Sequence, residues 1–270
     1  SAAGTYVLRL TANDGEIKTS DDITLAATVS TVTVNATTPA ASEQGLVPGV
    51  FTVTRTGTAG SLPVQIALTG TATQGTDYIN VGTQVIIPDG STNAAVTITP
   101  LADTTAEGSE TVILTLTANP NYLLGSPASA TVTLADLPID QWRFAQFGAS
   151  ANDPLIAGPN ANPDGDTLIN LLEYAFGTMA MSANSSPAVT DIVTIGPDRF
   201  LRLTLPKNPA ATDLVYQVQA TGNVALPLSW SSAGLFIELN DGTTLRVRDN
   251  VPLDSGASAT RFLRGLVTPP

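Results

Sequence analysis

The chain contains no histidine and no cysteine among its 270 residues. Ser-His-Asp and Cys-His catalytic sites, zinc sites built from imidazole or thiolate, and disulfide bonds are therefore excluded. Aromatic residues make up only 5% of the sequence and charged residues only 13%. A glycosidase would still be possible with two carboxylates, but no cleft-forming architecture is visible in the sequence. We therefore predict a protein that is not an enzyme.

Basic residues are scarce as well, with 11 Lys and Arg against 23 Asp and Glu, which gives a formal net charge of -12. Such a chain cannot replace the counterions of a phosphate backbone, so we predict no nucleic-acid partner and expect divalent cations instead. No run approaches about 18 apolar residues, so no membrane span is predicted. The first residues, Ser1 to Gly4, lack the features of a signal peptide, and we expect any export signal to lie outside this sequence.

Thr, Ala, Val and Gly occur throughout, in a composition typical of short strands and turns. We predict an all-β chain: tandem immunoglobulin-like β-sandwiches with a short loop-helix insert. Alternating apolar residues predict seven strands in the first sandwich and six in the second. The predicted segments are a terminal hairpin (1–29), a sandwich (30–137), the loop and helix (138–184) and a C-terminal β-sandwich-like domain (185–270).

The terminal hairpin has a turn at Asn13-Asp14-Gly15 and alternating apolar residues on both sides of it. Two strands alone rarely hold together in water, so these apolar residues need a surface to bury against. Three possibilities remain open: strand addition to a neighbouring copy, docking on the chain's own sandwich, or a missing upstream part. The residues concerned are Tyr6, Leu8, Leu10, Ile17, Ile23 and Leu25.

The sharpest local motif is Asn162-Pro163-Asp164-Gly165-Asp166-Thr167-Leu168-Ile169-Asn170-Leu171-Leu172-Glu173. It has oxygen-bearing side chains at positions 1, 3, 5, 9 and 12, the spacing of an EF-hand calcium loop. The predicted ligands are Asn162, Asp164, Asp166, the carbonyl of Leu168, Asn170 and Glu173, with Ile169 as an apolar anchor. Position 6 is Thr167 where such loops carry glycine, and a positive φ there would be strained. The alternative is a turn that only caps a helix.

Continued through Tyr174-Ala175-Phe176-Gly177, this segment resembles the dockerin-like or thrombospondin-type-3-like calcium loops of large secreted bacterial proteins. The sequence after it resembles the C-terminal β-domain that follows such loops, on the segments Leu214 to Ala220, Leu228 to Trp230 and Thr260 to Arg264. Residues 4–15 resemble the last hairpin of PKD-like and cadherin-like domains. These resemblances imply a secreted, extracellular or cell-surface location.

The first sandwich resembles a Calx-beta domain on Glu43, Phe51 to Arg55, Gly70 to Ala72, Gly75 to Tyr78 and Asp103 to Thr111. In that family, carboxylates from separate loops hold calcium at one end of the sandwich. The resemblance implies that these ligands are Glu43, Asp77, Asp103, Glu107, Glu110 and Asp136. The alternative is a structural sandwich whose acidic residues face water.

Two functions of different classes follow from this sequence. The first is a non-catalytic, calcium-stabilised structural or adhesive segment of a bacterial surface protein, with self-assembly into a fibre as an extension. The second is a carbohydrate-binding accessory region of a secreted hydrolase, for which Trp142, Trp230 and the five tyrosines would have to stack on sugar rings. We expect these aromatic residues to pack in the core instead.

Overall fold

The computed structural model describes residues 4–13, 15–27, 29–226, 229–253 and 260–269. The chain divides into two compact units. The first unit comprises Ser1–Asp103 and Ser109–Ala135, and the second comprises Thr104–Gly108 and Asp136–Pro270. The five residues 104–108 thus belong with the second unit although the chain on both sides of them belongs to the first.

The first unit begins with the predicted hairpin, formed by β1 (Gly4–Asn13) and β2 (Lys18–Ala27). Within the described part of the chain the two strands pair only with each other, in an antiparallel register that sets Leu8 opposite Ile23. In the turn, the Asn13 side chain accepts a hydrogen bond from the backbone N–H of Gly15. Tyr6, Leu8 and Ile23 are 47%, 57% and 61% exposed. In the described structure, these three side chains are therefore not buried against the chain's own sandwich.

All seven strands predicted for the sandwich are present, together with two short additional ones. Their alternation of apolar and polar residues sends every second side chain into the core. One sheet has the order β10-β3-β5-β8 and the other the order β4-β11-β9-β6-β7. The strands are β3 (Ser30–Thr38), β4 (Ala40–Ser42), β5 (Gly49–Arg55), β6 (Leu62–Gly70), β7 (Gln84–Ile87), β8 (Asn93–Ile98), β9 (Glu110–Leu116), β10 (Tyr122–Leu124) and β11 (Ser129–Ala135).

The core of this sandwich lies between the two sheets. It is built from side chains such as Phe51, Val53, Val112 and Leu114, all of them fully buried. The same inward register continues to Glu110, the first residue of β9, which is 8% exposed. The strand therefore carries a carboxylate to the rim of the apolar core.

The second unit begins with two helices. The first, α1 (Pro138–Phe147), starts on a proline, whose missing N–H costs nothing in the first helical turn, and ends at Gly148 with φ of 51°. The second, α2 (Asn170–Phe176), ends at Gly177, which is left-handed with φ of 74°. The sequence predicted α2 but not α1.

All six strands predicted for the C-terminal domain are also present. A four-stranded sheet has the order β12-β13-β16-β15, and β14 pairs with β17. Leu203, Leu205, Val218, Leu245 and Val247 form the small buried core of this domain. The strands are β12 (Val189–Ile195), β13 (Asp198–Pro206), β14 (Val215–Thr221), β15 (Leu235–Asn240), β16 (Thr244–Asp249) and β17 (Phe262–Thr268). The all-β, sandwich-based fold class is confirmed.

Candidate metal centres

The predicted calcium loop is a succession of tight turns closed by its own side chains. Asn162 Oδ1 accepts a hydrogen bond from Gly165 N at 3.0 Å, and Asp164 Oδ1 accepts one from Asp166 N at 3.3 Å. Asp166 Oδ1 in turn accepts one from Leu168 N at 2.5 Å. Short side chains that accept from the backbone two or three residues ahead favour such turns. The loop is thus folded by the residues that were predicted to bind the metal.

The left-handed residue of this loop is Gly165, with φ of 72°, and Thr167 does not take a positive φ. The expected strain at Thr167 is therefore absent, because the turn is made two residues earlier by a glycine. The apolar anchor also differs from the prediction: Leu168 is 2% exposed, whereas Ile169 is only half-buried. The side chain of Leu168 fixes the loop, and its carbonyl remains a predicted ligand.

Three carboxylates of the loop converge. Asp164, Asp166 and Glu173 each offer an oxygen, and these oxygens lie within 4.8 Å of one another. Glu173 is fully buried, in the first turn of α2, and neither of its carboxylate oxygens has a hydrogen-bond partner. Asp164 Oδ2 and Asn170 Oδ1 are also buried without a partner. Buried oxygens in this condition carry a large desolvation cost unless something else binds them.

Glu173 shows the electrostatic consequence of this arrangement. Burial, together with the negative charges of Asp164 and Asp166, raises the pKa of its carboxyl group to about 7. Without a cation, and at a pH between 4.5 and about 7, this carboxyl group therefore keeps a proton that an ordinary glutamic acid would have lost. A divalent cation among these oxygens would remove both causes, and an all-oxygen donor set of this kind suits calcium. The residues present thus fit the ion that their spacing predicts.

Two further contacts complete the loop. The backbone N–H of Asn184 donates to Asp166 Oδ2 at 2.5 Å, so a segment after α2 closes over the loop. The Asn170 amide group donates from Nδ2 to the carbonyls of Ile156 and Gly158, at 2.8 and 2.9 Å. The contact of Asn184 with Asp166 could not be predicted from the sequence, because it is made by a backbone N–H group.

The first unit contains a second, smaller group of acidic side chains. Asp77 and Glu110 are 3% and 8% exposed, and each offers a carboxylate oxygen within 4.8 Å of the other. A tight turn positions Asp77: its Oδ2 accepts a hydrogen bond from Thr73 N at 2.6 Å, while Oδ1 is buried without a partner. Burial and the charge of Asp77 together raise the pKa of the neighbouring Tyr78.

The predicted convergence of all the sandwich carboxylates is only partly seen. Within the described part of the first unit, neither Glu43 nor Asp103 completes a three-carboxylate group with Asp77 and Glu110 at that spacing. Glu43 is buried beside the end of β11, where its N–H donates to the carbonyl of Ala135. Glu43 follows β4, which runs parallel to β11 with Ser42 opposite Ala135.

Glu107 and Asp136 belong to the second unit. Asp136 is 2% exposed, and its Oδ2 accepts hydrogen bonds from the backbone N–H groups of Glu107 and Gly108, at 2.9 and 2.7 Å. This oxygen therefore holds the backbone of residues 104–108, a role the sequence did not predict. The Glu107 side chain is exposed.

The aromatic residues that could have formed a sugar platform have protein partners. Trp142 packs in an edge arrangement on Phe147, with centroids 5.7 Å apart, and lies 5.4 Å from the ring of Tyr174. The guanidinium of Arg264 stacks on Trp230 at 4.4 Å. The described helices include none that is both long and apolar enough to cross a bilayer.

Comparison with known proteins gives one family match and several structural similarities. No curated protein matches the chain. Among solved structures, the chain is similar to the apo form of the Calx CBD1 domain, at 21% identity over 40% of this chain and 98% of that one, with a TM-score of 0.35. It is also similar to the calcium binding domain CBD12 of CALX1.1, at 14% identity over 87% and 79%, with a TM-score of 0.37. Residues 21–138 match the family model of the Calx-beta domain.

Proposed function

We propose that this chain is a non-catalytic, calcium-binding structural segment of a secreted bacterial surface protein. Its principal calcium site is the loop formed by residues 162–173, and its β-domains serve as spacers that the ion stiffens. The Calx-beta match and the absence of histidine and cysteine both favour a binding or structural role over a catalytic one.

One observation carries the proposal: buried oxygens of Asp164, Asn170 and Glu173 have no hydrogen-bond partner. They belong to loop positions 3, 9 and 12, where calcium loops of this spacing carry ligands. The remaining proposed ligands are Asn162, Asp166 and the carbonyl of Leu168. The ion would neutralise the clustered carboxylates and satisfy oxygens that water does not reach.

Calcium bound in this way stabilises the folded state by mass action, because an unfolded loop does not gather the ligands. At a free concentration of 100 times Kd, the gain is about 2.7 kcal/mol. Extracellular modules bind calcium with Kd values of about 0.1 to 1 mM. With a Kd in that range, the folded state of the segment would be stabilised at extracellular calcium concentrations and would lose this stabilisation where calcium is scarce.

We propose a second calcium site at the sandwich, centred on Asp77 and Glu110. The orphaned Asp77 Oδ1 and the match to the Calx-beta model support it. Glu43, Asp103, Glu107 and Asp136 remain proposed contributors, as the resemblance to Calx-beta domains implies.

The experiment is a calorimetric calcium titration of the whole chain in calcium-free buffer. We expect Glu173→Gln to abolish binding at the loop and Asp77→Asn to remove only the sandwich event. Asp241→Asn is a matched control, because Asp241 lies in a turn of the same unit and accepts hydrogen bonds from Thr243 and Thr244 as Asp166 does from Leu168. A wild-type chain that takes up no calcium would refute the proposal.

Assembly with further copies is a second proposed property. The support is the apolar face of the hairpin, where Tyr6, Leu8 and Leu10 remain exposed and the strand edges pair with nothing else among the described residues. Exposed edges are templates for strand addition, which gives open, head-to-tail assemblies. Deletion of residues 1–29 should abolish polymers seen by sizing and microscopy while leaving the sandwich folded. Unchanged polymers would refute this property.

A further inference from the structure

Residues 104–108 are held in the second unit by the side chains of Asp136, which is buried, Arg143, which is half-buried, and Asn152, which is exposed. Asn152 accepts a hydrogen bond from Ala106 N at 2.8 Å and donates one to the carbonyl of Ala106 at 3.1 Å. Arg143 donates to the carbonyl of Thr104 at 3.0 Å, and Asp136 accepts from two further N–H groups of the segment. These hydrogen bonds tie the backbone of this short segment to residues 136–152.

The turns that carry Asn152 are also connected to the calcium loop by hydrogen bonds. Residues 148–161 form consecutive turns, in which Asp153 N donates to Ser150 and Ala157 N donates to Asp153. Asn170 reaches these turns with its Nδ2 group, which donates to the carbonyls of Ile156 and Gly158. Arg143 also donates to the carbonyl of Ala151, next to Asn152, at 2.7 Å.

Asn170 thus has two roles in one side chain. Its Nδ2 fixes the turns that lead to Asn152, while its buried Oδ1 has no hydrogen-bond partner and stands at position 9 of the loop. The residue is 1% exposed, so neither end of the amide can turn to water. An ion that binds Oδ1 would fix the orientation of the amide and, with it, the two carbonyl contacts.

We propose that calcium in the loop is linked to the conformation of residues 104–108 through Asn170, which acts as a positioning residue. The inference rests on the proposed function, because it requires the loop to bind calcium. The linkage is reciprocal, so ordering of residues 104–108 raises the affinity of the loop for calcium by the same factor by which calcium favours the ordered segment.

The test is hydrogen exchange of the amides of Ala106, Glu107 and Gly108 in the whole chain, with and without calcium. These amides donate to Asn152 and Asp136, so their exchange reports the opening of the segment. In the wild type, calcium should slow their exchange on the order of tenfold, within the usual range of coupling between sites. The loop's occupancy is measured in parallel by calorimetry.

Two variants with the same chemical change separate calcium ligation from its transmission. Asn170→Asp keeps an oxygen ligand at position 9 but removes the Nδ2 donor, so calcium should still bind without slowing exchange at 106–108. Asn208→Asp is the control, because Asn208 lies outside the loop in the same unit and its Nδ2 donates to the carbonyl of Tyr174. That variant should keep the calcium effect in full. Asn152→Ala, at the far end of the route, should bind calcium normally and lose protection at Ala106.

The outcomes distinguish this inference from the function on which it rests. If the wild type takes up no calcium, the proposed function is wrong, and the inference is wrong with it. If calcium binds but exchange at 106–108 is unchanged, only the linkage is wrong. Full protection in a calcium-bound Asn170→Asp variant would refute the role of Asn170. Should that variant not fold, the Asn152→Ala variant is read at Glu107 and Gly108, whose acceptor Asp136 is intact, and a calcium effect kept in full at these amides would refute the route through Asn152.

Discussion

Glu173 should make the calcium-free second unit more stable in mild acid than in mild base. Its carboxyl group has a pKa of about 7 in the folded chain, against 4.5 for the ordinary group, so between these values the folded state binds the proton more tightly than the unfolded state does. The stabilising proton is fully present below pH 4.5 and is lost as the pH rises through 7. The free energy of unfolding therefore falls as the pH rises across this window.

The size of the effect follows from the same pair of values. One unit of pKa corresponds to about 1.4 kcal/mol, so Glu173 accounts for at most about 3 kcal/mol between pH 5 and pH 8. Calcium reverses the sign, since it binds the ionised carboxylate and competes with the proton. We expect calcium to stabilise the unit strongly at pH 8 and little at pH 5.

The assay is denaturant unfolding of the whole chain at pH 5 and pH 8, with calcium removed by chelating resin or added in excess. Glu173→Gln should remove the calcium-free difference between the two pH values. Glu238→Gln serves as the control, because Glu238 is a carboxylate of the same unit that already lies near Arg202 and Arg248. Wild-type and Glu173→Gln chains with the same pH dependence would refute the reasoning.

Three substitutions test other parts of the structure. Gly165→Ala should lower the free energy of unfolding by about 1 to 2 kcal/mol and weaken calcium binding in calorimetry, because φ of 72° is strained for alanine. The strain is in the backbone alone, since the added carbon meets nothing within 4 Å. Gly242→Ala is the control: it has equal space and no positive φ, so calcium affinity should be unchanged. Gly70→Ala should destabilise the sandwich by on the order of 3 kcal/mol in urea unfolding, because the added carbon would lie 2.0 Å from a carbonyl oxygen of β9; a cost below 1 kcal/mol would contradict this. Arg261→Met should lower the free energy of unfolding, measured by thermal unfolding, by about 3 to 5 kcal/mol, because it leaves the fully buried carboxylate of Asp249 without its ion-pair partner. An unchanged stability would show that this ion pair is dispensable.

The strands were predictable because their signal is local. In β5 and β9 every second residue is buried, and this alternation is written directly in the sequence. Helix α1 was missed, although Pro138 at its start and Gly148 at its end are ordinary helix boundary signals. Its apolar residues do not follow one clear helical stripe, so the pattern gave no independent support.

The calcium loop was predictable for the same reason: its ligands lie within twelve consecutive residues, and their spacing is fixed by the chain itself. The sequence rule assigned the sharp turn to position 6, at Thr167. The structure makes it at Gly165 because an Asp-Gly pair there takes the left-handed conformation without strain. Asn184 had no sequence signal at all, since any residue offers a backbone N–H.

The sequence by itself determined which segments form strands, where the turns fall and which oxygens gather at residues 162–173, since each of these depends on neighbours a few residues apart. Only the tertiary structure decided which distant carboxylates meet, because strand order and loop paths set those distances. It brought Asp77 to Glu110 and left Glu43 and Asp103 out of that group. It also fastened residues 104–108 to Asp136 and Asn152, because the side chains that hold this segment lie 28 to 46 residues further along the chain.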